Sequence, residues 1–276
     1  MNKIILLIIV LISSNCFSQK VQKDFKLSKI LDETSGLEIV DDLFITQNDS
    51  GNDPVIYYID FKGKIVNQRK ITGFENNDWE DLAVDDQFIY IADMGNNYDT
   101  RKNLSIIKIP KKLDSNDTFE SINFKYPEQS DFSYKRLSEF DAEALISIEN
   151  NLLIFTKNRA KKISDLYILP KTKGEYDAKK IGSLNTKSIV TGGDFNSELN
   201  LLALTSTISF DEYYLLIIKN FSLSVKNDYE IDMYEIPIGK TQVEAIKIID
   251  ENTFWITSED ESLSLIHISE PTRQKP

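Results

Sequence analysis

Asn77-Asp78-Trp79-Glu80-Asp81-Leu82-Ala83 contains the clearest copy of a short pattern that recurs five times, each time where a polar loop leads into an apolar strand. The copies are Ser35-Gly36-Leu37, Glu80-Asp81-Leu82, Glu143-Ala144-Leu145, Gly193-Asp194-Phe195 and Glu244-Ala245-Ile246. Consecutive copies lie 45, 63, 50 and 51 residues apart. Periods of about 40 to 50 residues with only strands between them are typical of propeller blades. The sequence therefore predicts an all-β, five-bladed β-propeller.

Strand-like segments fill the intervals between the copies. The predicted strands of the first four units are 43–46, 55–59 and 64–71; 88–92, 104–109 and 119–126; 152–156, 166–169 and 178–184; and 199–205, 213–219 and 229–236. Each unit thus has a repeat strand, two apolar strands and a polar outer strand, whose edge can face water. We find no helical periodicity over several turns.

The fifth unit is incomplete in the sequence. It has its repeat strand (243–249) and a second strand (253–257), and a foreign-looking segment follows. The segment 21–30 precedes the first repeat as outer strands precede the others. We therefore expect a truncated last blade that the N-terminal strand closes, because ring closure removes an exposed edge.

The N-terminus has the features of a secretory signal peptide. A basic start is followed by the apolar run 4–12, which is too short to span a bilayer, so we expect no transmembrane segment. Small residues favour cleavage after Ser18, so residues 1–18 would be removed and the protein would be secreted or periplasmic. A lipid anchor at Cys16 is the weaker alternative, because Asn15 is not the small residue that such sites favour.

The C-terminus resembles a translated laboratory sequence. All eleven residues of Leu263–Arg273 match a reading frame of a transposon-type sequencing-library adapter, so we interpret 263–276 as a foreign tail and 19–262 as a single propeller domain. The alternative is a native strand. For a foreign tail we expect 263–268 to pair beside 253–257, with 269–276 in solvent and His267 without an organised partner. If the segment is native, His267 becomes a candidate functional residue.

Composition excludes several function classes. Cys16 is the only cysteine and His267 the only histidine, so residues 19–262 cannot form a disulfide, a Ser-His-Asp or Cys-His centre, or the usual zinc sites. The formal net charge of −12 is opposite to what a nucleic-acid-binding protein needs and is unfavourable at an anionic membrane.

The repeats also predict a binding site. Small residues at Gly36, Ala144, Gly192, Gly193 and Ala245 would let inner strands approach closely. The first residues of the five copies would face one mouth of the channel, namely Ser35, Glu80, Glu143, Gly193 and Glu244. The apolar residues that end the copies would be buried between blades, namely Leu37, Leu82, Leu145, Phe195 and Ile246. Glu80, Glu143 and Glu244 would meet there as candidate catalytic or calcium-binding carboxylates. The candidate ligand-binding residues near the same mouth are Asp49, Asp78, Asp81, Asp93, Asn96, Asp141, Lys157 and Arg159.

An ordered series of motifs carries a resemblance to a known family. The motifs are Asp32-Glu33-Thr34-Ser35-Gly36-Leu37, Asn48-Asp49-Ser50-Gly51, Asn77-Asp78-Trp79-Glu80-Asp81-Leu82-Ala83, Asp93-Met94-Gly95-Asn96-Asn97, Phe140-Asp141-Ala142-Glu143-Ala144-Leu145 and Thr156-Lys157-Asn158-Arg159. Together they resemble a family of secreted, uncharacterised bacterial β-propeller-like proteins. Met94 departs from the branched apolar residue expected there. The resemblance implies export and a propeller, and it implies no reaction.

Three functions remain open at this point. The first is a non-catalytic recognition module, which would bind an extracellular glycan, peptide or protein as a monomer. The second is a glycoside hydrolase that uses Glu80, Glu143 and Glu244. The third is a calcium-assisted ester or phosphoester hydrolase, because calcium needs only hard oxygen ligands.

Overall fold

The protein is built almost entirely of β-strands in five small sheets. The computed structural model describes residues 20–112, 118–209, 212–224, 229–239, 241–259 and 264–269. One 3-10 turn, Lys29–Leu31, is the only helix among these residues, and no described helix could span a membrane. The predicted signal peptide and Cys16 lie outside the described residues.

Each sheet contains one of the five repeats as its inner strand. Blade 1 consists of β2 (Thr34–Val40), β3 (Leu43–Asn48), β4 (Val55–Ile59) and β5 (Ile65–Lys70). Blade 2 consists of β6 (Trp79–Val84), β7 (Phe88–Asp93), β8 (Leu104–Pro110), β9 (Glu120–Lys125) and β13 (Gly174–Asp177). Blade 3 consists of β10 (Ala142–Ile148), β11 (Asn151–Thr156), β12 (Ser164–Pro170) and β14 (Lys179–Leu184). Blade 4 consists of β15 (Ile189–Asn196), β16 (Leu201–Ser209), β17 (Glu212–Lys219) and β18 (Asp232–Glu235).

Blade 5 closes the ring with a strand from the chain's beginning. Its order is β19 (Val243–Asp250), β20 (Thr253–Ser258), β21 (Ser264–Ser269) and β1 (Lys20–Lys26), all antiparallel. The N-terminal strand β1 closes the ring, as expected. The segment 264–269 pairs beside β20, which confirms the pairing expected for 263–268. Neither ring nitrogen of His267 has a hydrogen-bond partner among the described residues, as expected, but the ring stacks on Trp255 with 4.9 Å between the ring centroids.

The inner strands form a closed ring. β2 contacts β6, β6 contacts β10, β10 contacts β15, β15 contacts β19, and β19 contacts β2. The predicted five-bladed propeller is therefore confirmed.

One strand was missed by the sequence analysis. β13 belongs in chain order to the third unit, yet it pairs in parallel with β9 at the outer edge of blade 2. This addition covers an edge that the four-strand pattern leaves open. Its sequence, Gly-Glu-Tyr-Asp, is short and polar, so its periodicity could not identify it.

Apolar residues pack between neighbouring blades rather than in one central core. Leu37, Leu82, Leu145 and Ile246, which follow the repeats' small or acidic residues, are all at most 2% exposed. Phe195 also packs against a cluster shared by blades 3 and 4, as predicted, but it is only partly buried. The core accordingly consists of interfaces that repeat around the ring.

Small residues permit close contact between inner strands, as predicted. A Cβ added to Gly36, whose φ is +71°, would lie 2.8 Å from the backbone nitrogen of Leu82. A Cβ added to Gly192 would lie 2.6 Å from the carbonyl oxygen of Glu244. These glycines are needed because the nearest atoms belong to backbone that cannot move aside.

Candidate functional site

A bulge near the start of every inner strand directs one residue towards the same mouth of the channel. The register of each inner strand against its neighbour shifts at this point, between Ser35 and Glu38 in blade 1 and between Trp79 and Asp81 in blade 2. Equivalent shifts occur in the other three blades. Bulges re-aim side chains and are frequent next to binding sites. The five residues at these positions that line the mouth are Ser35, Glu80, Glu143, Thr191 and Glu244.

The register predicted for blade 4 was wrong by two residues. Thr191, not Gly193, lies at the bulge and faces the cavity. Gly193 instead packs between Leu204 and Ala144, where an added Cβ would lie 2.7 Å from Leu204. The sequence signal was available in retrospect, because Thr191-Gly192-Gly193 also has a polar residue before small ones.

These residues line a cavity of about 520 Å³. The acidic side chains in its wall are Asp49, Glu80, Glu143, Glu244 and Glu259, and the basic ones are Lys157, Arg159 and Lys162. The wall also contains the apolar residues Leu137, Ile189 and Ile208, and Leu137 is 60% exposed. The predicted convergence of Glu80, Glu143 and Glu244 on one cavity is thus observed, and the apolar residues were not predicted.

Two basic residues pair with two of the acids. The Nζ atom of Lys157 lies 2.7 Å from an Oε atom of Glu143. The guanidinium of Arg159 contacts the carboxylate of Asp141, and it also donates to Asn97 Oδ1 at 2.7 Å. Asp141 accepts a further hydrogen bond from the backbone of Asn96 at 2.6 Å. Lys157 and Arg159 therefore already have acidic partners within the site.

Glu80 lies at the centre of the remaining negative charge. Its oxygen lies within 4.8 Å of carboxylate oxygens of Asp49 and Asp78, and a second such group consists of Glu80, Asp141 and Glu143. Glu80 is 4% exposed. In the part of the chain that the structure describes, no hydrogen-bond donor or basic group contacts the Glu80 carboxylate. Glu244 lines the same cavity but belongs to neither group.

Burial and like charges favour protonation of these acids. Burial raises the pKa of Glu80 well above its usual range, and Glu143 and Asp49 raise it further. Burial raises the pKa of Glu143 to about 7 against the opposing charge of Lys157. Burial and the charge of Asp49 raise the pKa of Asp78 to about 7. The site thus contains more buried carboxylates than its cations neutralise.

Burial raises the pKa of Glu244 well above its usual range, although the charge of Lys157 opposes this. Lys157 shows the complementary effect. Burial alone would lower its pKa, but the charges of Glu143, Glu244 and Asp141 raise it instead. Lys157 therefore stays charged in the wall of the cavity.

Five of the eight predicted ligand-binding residues do not line the cavity, namely Asp78, Asp81, Asp93, Asn96 and Asp141. Asp78 and Asp141 belong to the two carboxylate groups described above, and the other three have structural contacts. Asp81 is 2% exposed and accepts backbone hydrogen bonds from Leu82 and Leu145, both at 2.8 Å. Asp93 pairs with Arg101 at 2.7 Å and accepts from the backbone of Asp78. The side chain of Asn96 accepts from the backbone of Arg101 at 2.9 Å. None of the three is part of the cavity wall that the described residues form.

An exposed aromatic pair lies beside the loops that form the rim. Tyr98 and Tyr134 stack with 4.6 Å between ring centroids and are 49% and 66% exposed. Their neighbours in sequence, Asn97 and Leu137, belong to the cavity wall. Stacked, exposed tyrosines are suited to contact with sugars or with peptide side chains.

The opposite mouth has its own charged network. Lys247 contacts Glu38 at 2.5 Å and Asp194 at 2.8 Å, so one cation links three blades. The second oxygen of Asp194 accepts the backbone amide of Ile248 at 2.7 Å. All three charged groups are paired, and this network consequently connects blades.

No family model matches the sequence. No curated protein sequence matches it either. Among solved structures, a chain in the crystal structure of the mitotic checkpoint complex matches with a TM-score of 0.50 and 8% identity, over 98% of this chain and 97% of that one. The PQQ-bound aldose sugar dehydrogenase of Streptomyces coelicolor matches with a TM-score of 0.50 and 9% identity, over 91% of this chain and 98% of that one. At such identities the likeness establishes the propeller fold alone.

Proposed function

We propose that the protein is an exported recognition module, acting as a monomer, that binds an extracellular glycan or peptide, free or carried on a protein, in the mouth cavity. The observation that carries the proposal is the convergence of five bulge residues from five blades on one cavity. A concave site of this size with a few convergent polar groups and apolar residues in its wall is the usual form of a ligand site.

The lining supports a ligand rich in hydrogen-bond donors. Glu80 and Glu244 present carboxylates that do not pair directly with Lys157 or Arg159. Such carboxylates accept hydrogen bonds from hydroxyl or ammonium groups of a ligand. Ile189 and Ile208 offer apolar contact in the same cavity. Sugars and peptides both combine polar groups with apolar faces, which is the reason for naming these two classes.

A glycoside hydrolase is the second candidate, and one distance favours it. Oxygens of Glu80 and Glu143 lie within 4.8 Å of each other, and retaining glycosidases place their two carboxyl groups about 5 Å apart. The contact between Glu143 and Lys157 argues against it, because it engages one oxygen of the intended pair. A calcium-assisted ester or phosphoester hydrolase is the third candidate and needs the cation considered below.

A matched pair of serine substitutions tests the recognition proposal. Ser209→Trp would fill the mouth from its exposed rim, whereas Ser197→Trp places the same side chain at the exposed opposite mouth. Glycan and peptide arrays probed with the wild-type protein should give binders that Ser209→Trp loses and Ser197→Trp retains. Equal binding by both variants would contradict the proposal. Release of reducing sugar from a bound glycan would favour the hydrolase instead.

A further inference from the structure

We infer that Asp49 and Glu80, in the wall of the mouth cavity, bind a calcium ion together with the neighbouring Asp78. The inference deepens the proposed function and rests on it, because the ion would form part of the surface that meets the ligand. The site differs from the trio of Glu80, Glu143 and Glu244 that the sequence predicts.

Two neighbouring blades bring the three carboxylates together. Asp49 lies in the turn after β3 of blade 1, and Asp78 and Glu80 lie at the start of β6 of blade 2. Each offers one oxygen, and these oxygens all lie within 4.8 Å of one another. The turn is fixed by Asn76, whose side-chain amide donates to the carbonyl oxygens of Asn48 and Asp49 at 3.0 and 2.8 Å. The ligands are thus positioned by backbone contacts between blades.

The Glu80 carboxylate itself indicates a missing partner. Glu80 as a residue is only 4% exposed, and it lies in the cavity wall. Within the described ranges, no donor or basic side chain contacts it. A buried carboxylate without a partner is costly, and a cation is the partner that the surrounding acids favour.

The distribution of positive charge distinguishes this group from the neighbouring one. In the group of Glu80, Asp141 and Glu143, two members already pair with Arg159 and Lys157. In the group of Asp49, Asp78 and Glu80, Arg101 approaches Asp78 only to 3.9 Å, and it pairs more closely with Asp93 at 2.7 Å. The first group therefore has two closely paired cations, whereas the second has none that pairs closely with its carboxylates.

Gly95 allows the two carboxylates of blade 2 to take these positions. A Cβ added there would lie 2.0 Å from an oxygen of Glu80 and 2.4 Å from an oxygen of Asp78. Gly95 has no positive φ that would itself require glycine. Glycine is therefore needed here because a side chain would occupy the space that the carboxylates of Glu80 and Asp78 fill.

The donor set selects the cation. All donors are hard oxygens, which suits calcium and magnesium and disfavours metals that prefer nitrogen or sulfur. Calcium accepts irregular arrangements of six to eight oxygens, whereas magnesium demands near-ideal octahedral geometry. Three carboxylates from two separate segments leave coordination positions open towards the cavity. Ligands with vicinal hydroxyls or a carboxylate would complete them.

Calorimetric titration of the EDTA-treated, dialysed protein with calcium chloride alone tests the inference. We expect one site, and a melting temperature that rises with the logarithm of calcium concentration. Asp49→Asn and Glu80→Gln should each weaken calcium binding by at least about tenfold, because each removes a charged ligand. Gly95→Ala should do the same without changing the charge. Glu244→Gln, a matched change in the same cavity, should keep the affinity within about threefold.

The outcomes separate this inference from the proposed function. Absence of calcium binding by the wild-type protein, or equal loss in Glu244→Gln and Glu80→Gln, would overturn the calcium site. Array binding that Ser209→Trp abolishes would still support recognition in that case. Asp49 is only half-buried, so Asp49→Asn gives a readout if Glu80→Gln does not fold.

Discussion

The carboxylate of Asp81, on the inner strand of blade 2, accepts the backbone amide of Leu145, on the inner strand of blade 3, at 2.8 Å. Its other oxygen accepts the amide of Leu82 on its own strand at 2.8 Å. Asp194 repeats the contact from blade 4 to Ile248 of blade 5 at 2.7 Å. Buried carboxylates thus satisfy backbone amides where the bulges interrupt the sheet pairing, and they link neighbouring blades.

Asp81→Asn should destabilise the protein by about 2 kcal/mol, because an amide can accept only with its oxygen and leaves one buried backbone donor unpaired. Urea unfolding followed by fluorescence measures the loss. Asp86→Asn, an exposed position on the same blade, is the control and should change stability by less than about 0.5 kcal/mol. Equal stability of the two variants would show that the contact to Leu145 does not support the ring.

Gly36→Ala should cost about 3 kcal/mol, because the new Cβ requires both a left-handed backbone and space that the Leu82 backbone occupies. Gly73 is the control, since its φ is +85° but no atom lies within 4 Å of an added Cβ. Gly73→Ala should cost only about 1 kcal/mol, from the backbone strain alone. Thermal or urea unfolding distinguishes the two. Similar losses would mean that the inner strands are not as closely packed as described.

Lys157→Met should cost about 3 kcal/mol at neutral pH, because it leaves the buried Glu143 carboxylate without its cation. Adding Glu143→Gln should recover more than half of that loss, since the unpaired charge is then gone. Lys161→Met is the matched control, as Lys161 pairs with Glu139 at the exposed surface and should cost less than about 1 kcal/mol. A double variant that is no more stable than Lys157→Met would contradict the pairing.

Stability should fall as the pH rises from about 4.5 to 7, in part because of Glu38. Burial raises the pKa of Glu38 to about 7, against the opposing charge of Lys247 and with the added charge of Asp194. Asp81, on the neighbouring blade 2, also interacts electrostatically with Glu38. In this pH interval the folded protein keeps a proton that the unfolded chain has released. The contribution of Glu38 to the free energy of unfolding is therefore highest below pH 4.5 and decreases as the pH rises to 7.

Glu38→Gln should therefore reduce the difference in unfolding free energy between pH 4.5 and pH 8 by about 3 kcal/mol. Urea unfolding across this range gives the comparison. Glu251→Gln, at an exposed turn, is the matched control and should leave the pH profile unchanged. An unchanged profile in Glu38→Gln would show that Lys247 keeps the Glu38 carboxylate ionised throughout.

Much of the fold could be predicted because the repeats coincide with the inner strands. Leu82 and Leu145 could be assigned to buried positions because they are apolar residues at the same place in each repeat. The closing strand could be predicted because the sequence offers no other outer strand for blade 5. The bulges could not be predicted, because they add one residue without a sequence mark. For that reason Gly193 was assigned to the place of Thr191.

The sequence predicted which residue types form the site better than it predicted which way each side chain points. Glu80, Glu143 and Glu244 converge as expected, since equivalent positions in a ring face the same way. Asp81 lies one residue after Glu80 and was assigned to the same mouth, but successive strand residues face opposite directions. The apolar part of the wall was missed, because it combines Leu137, in a loop, with Ile189 and Ile208 at the ends of two strands of blade 4.

The location of ligand binding is the central claim, and methyl NMR of isoleucine-labelled protein tests it most directly. Ile189 and Ile208 line the mouth cavity, whereas Ile146 and Ile248 line the opposite mouth and serve as internal controls. On titration with a glycan or peptide selected on the arrays, the methyl signals of Ile189 and Ile208 should shift in a saturable manner while those of Ile146 and Ile248 stay in place. Shifts confined to Ile146 and Ile248 would contradict the account.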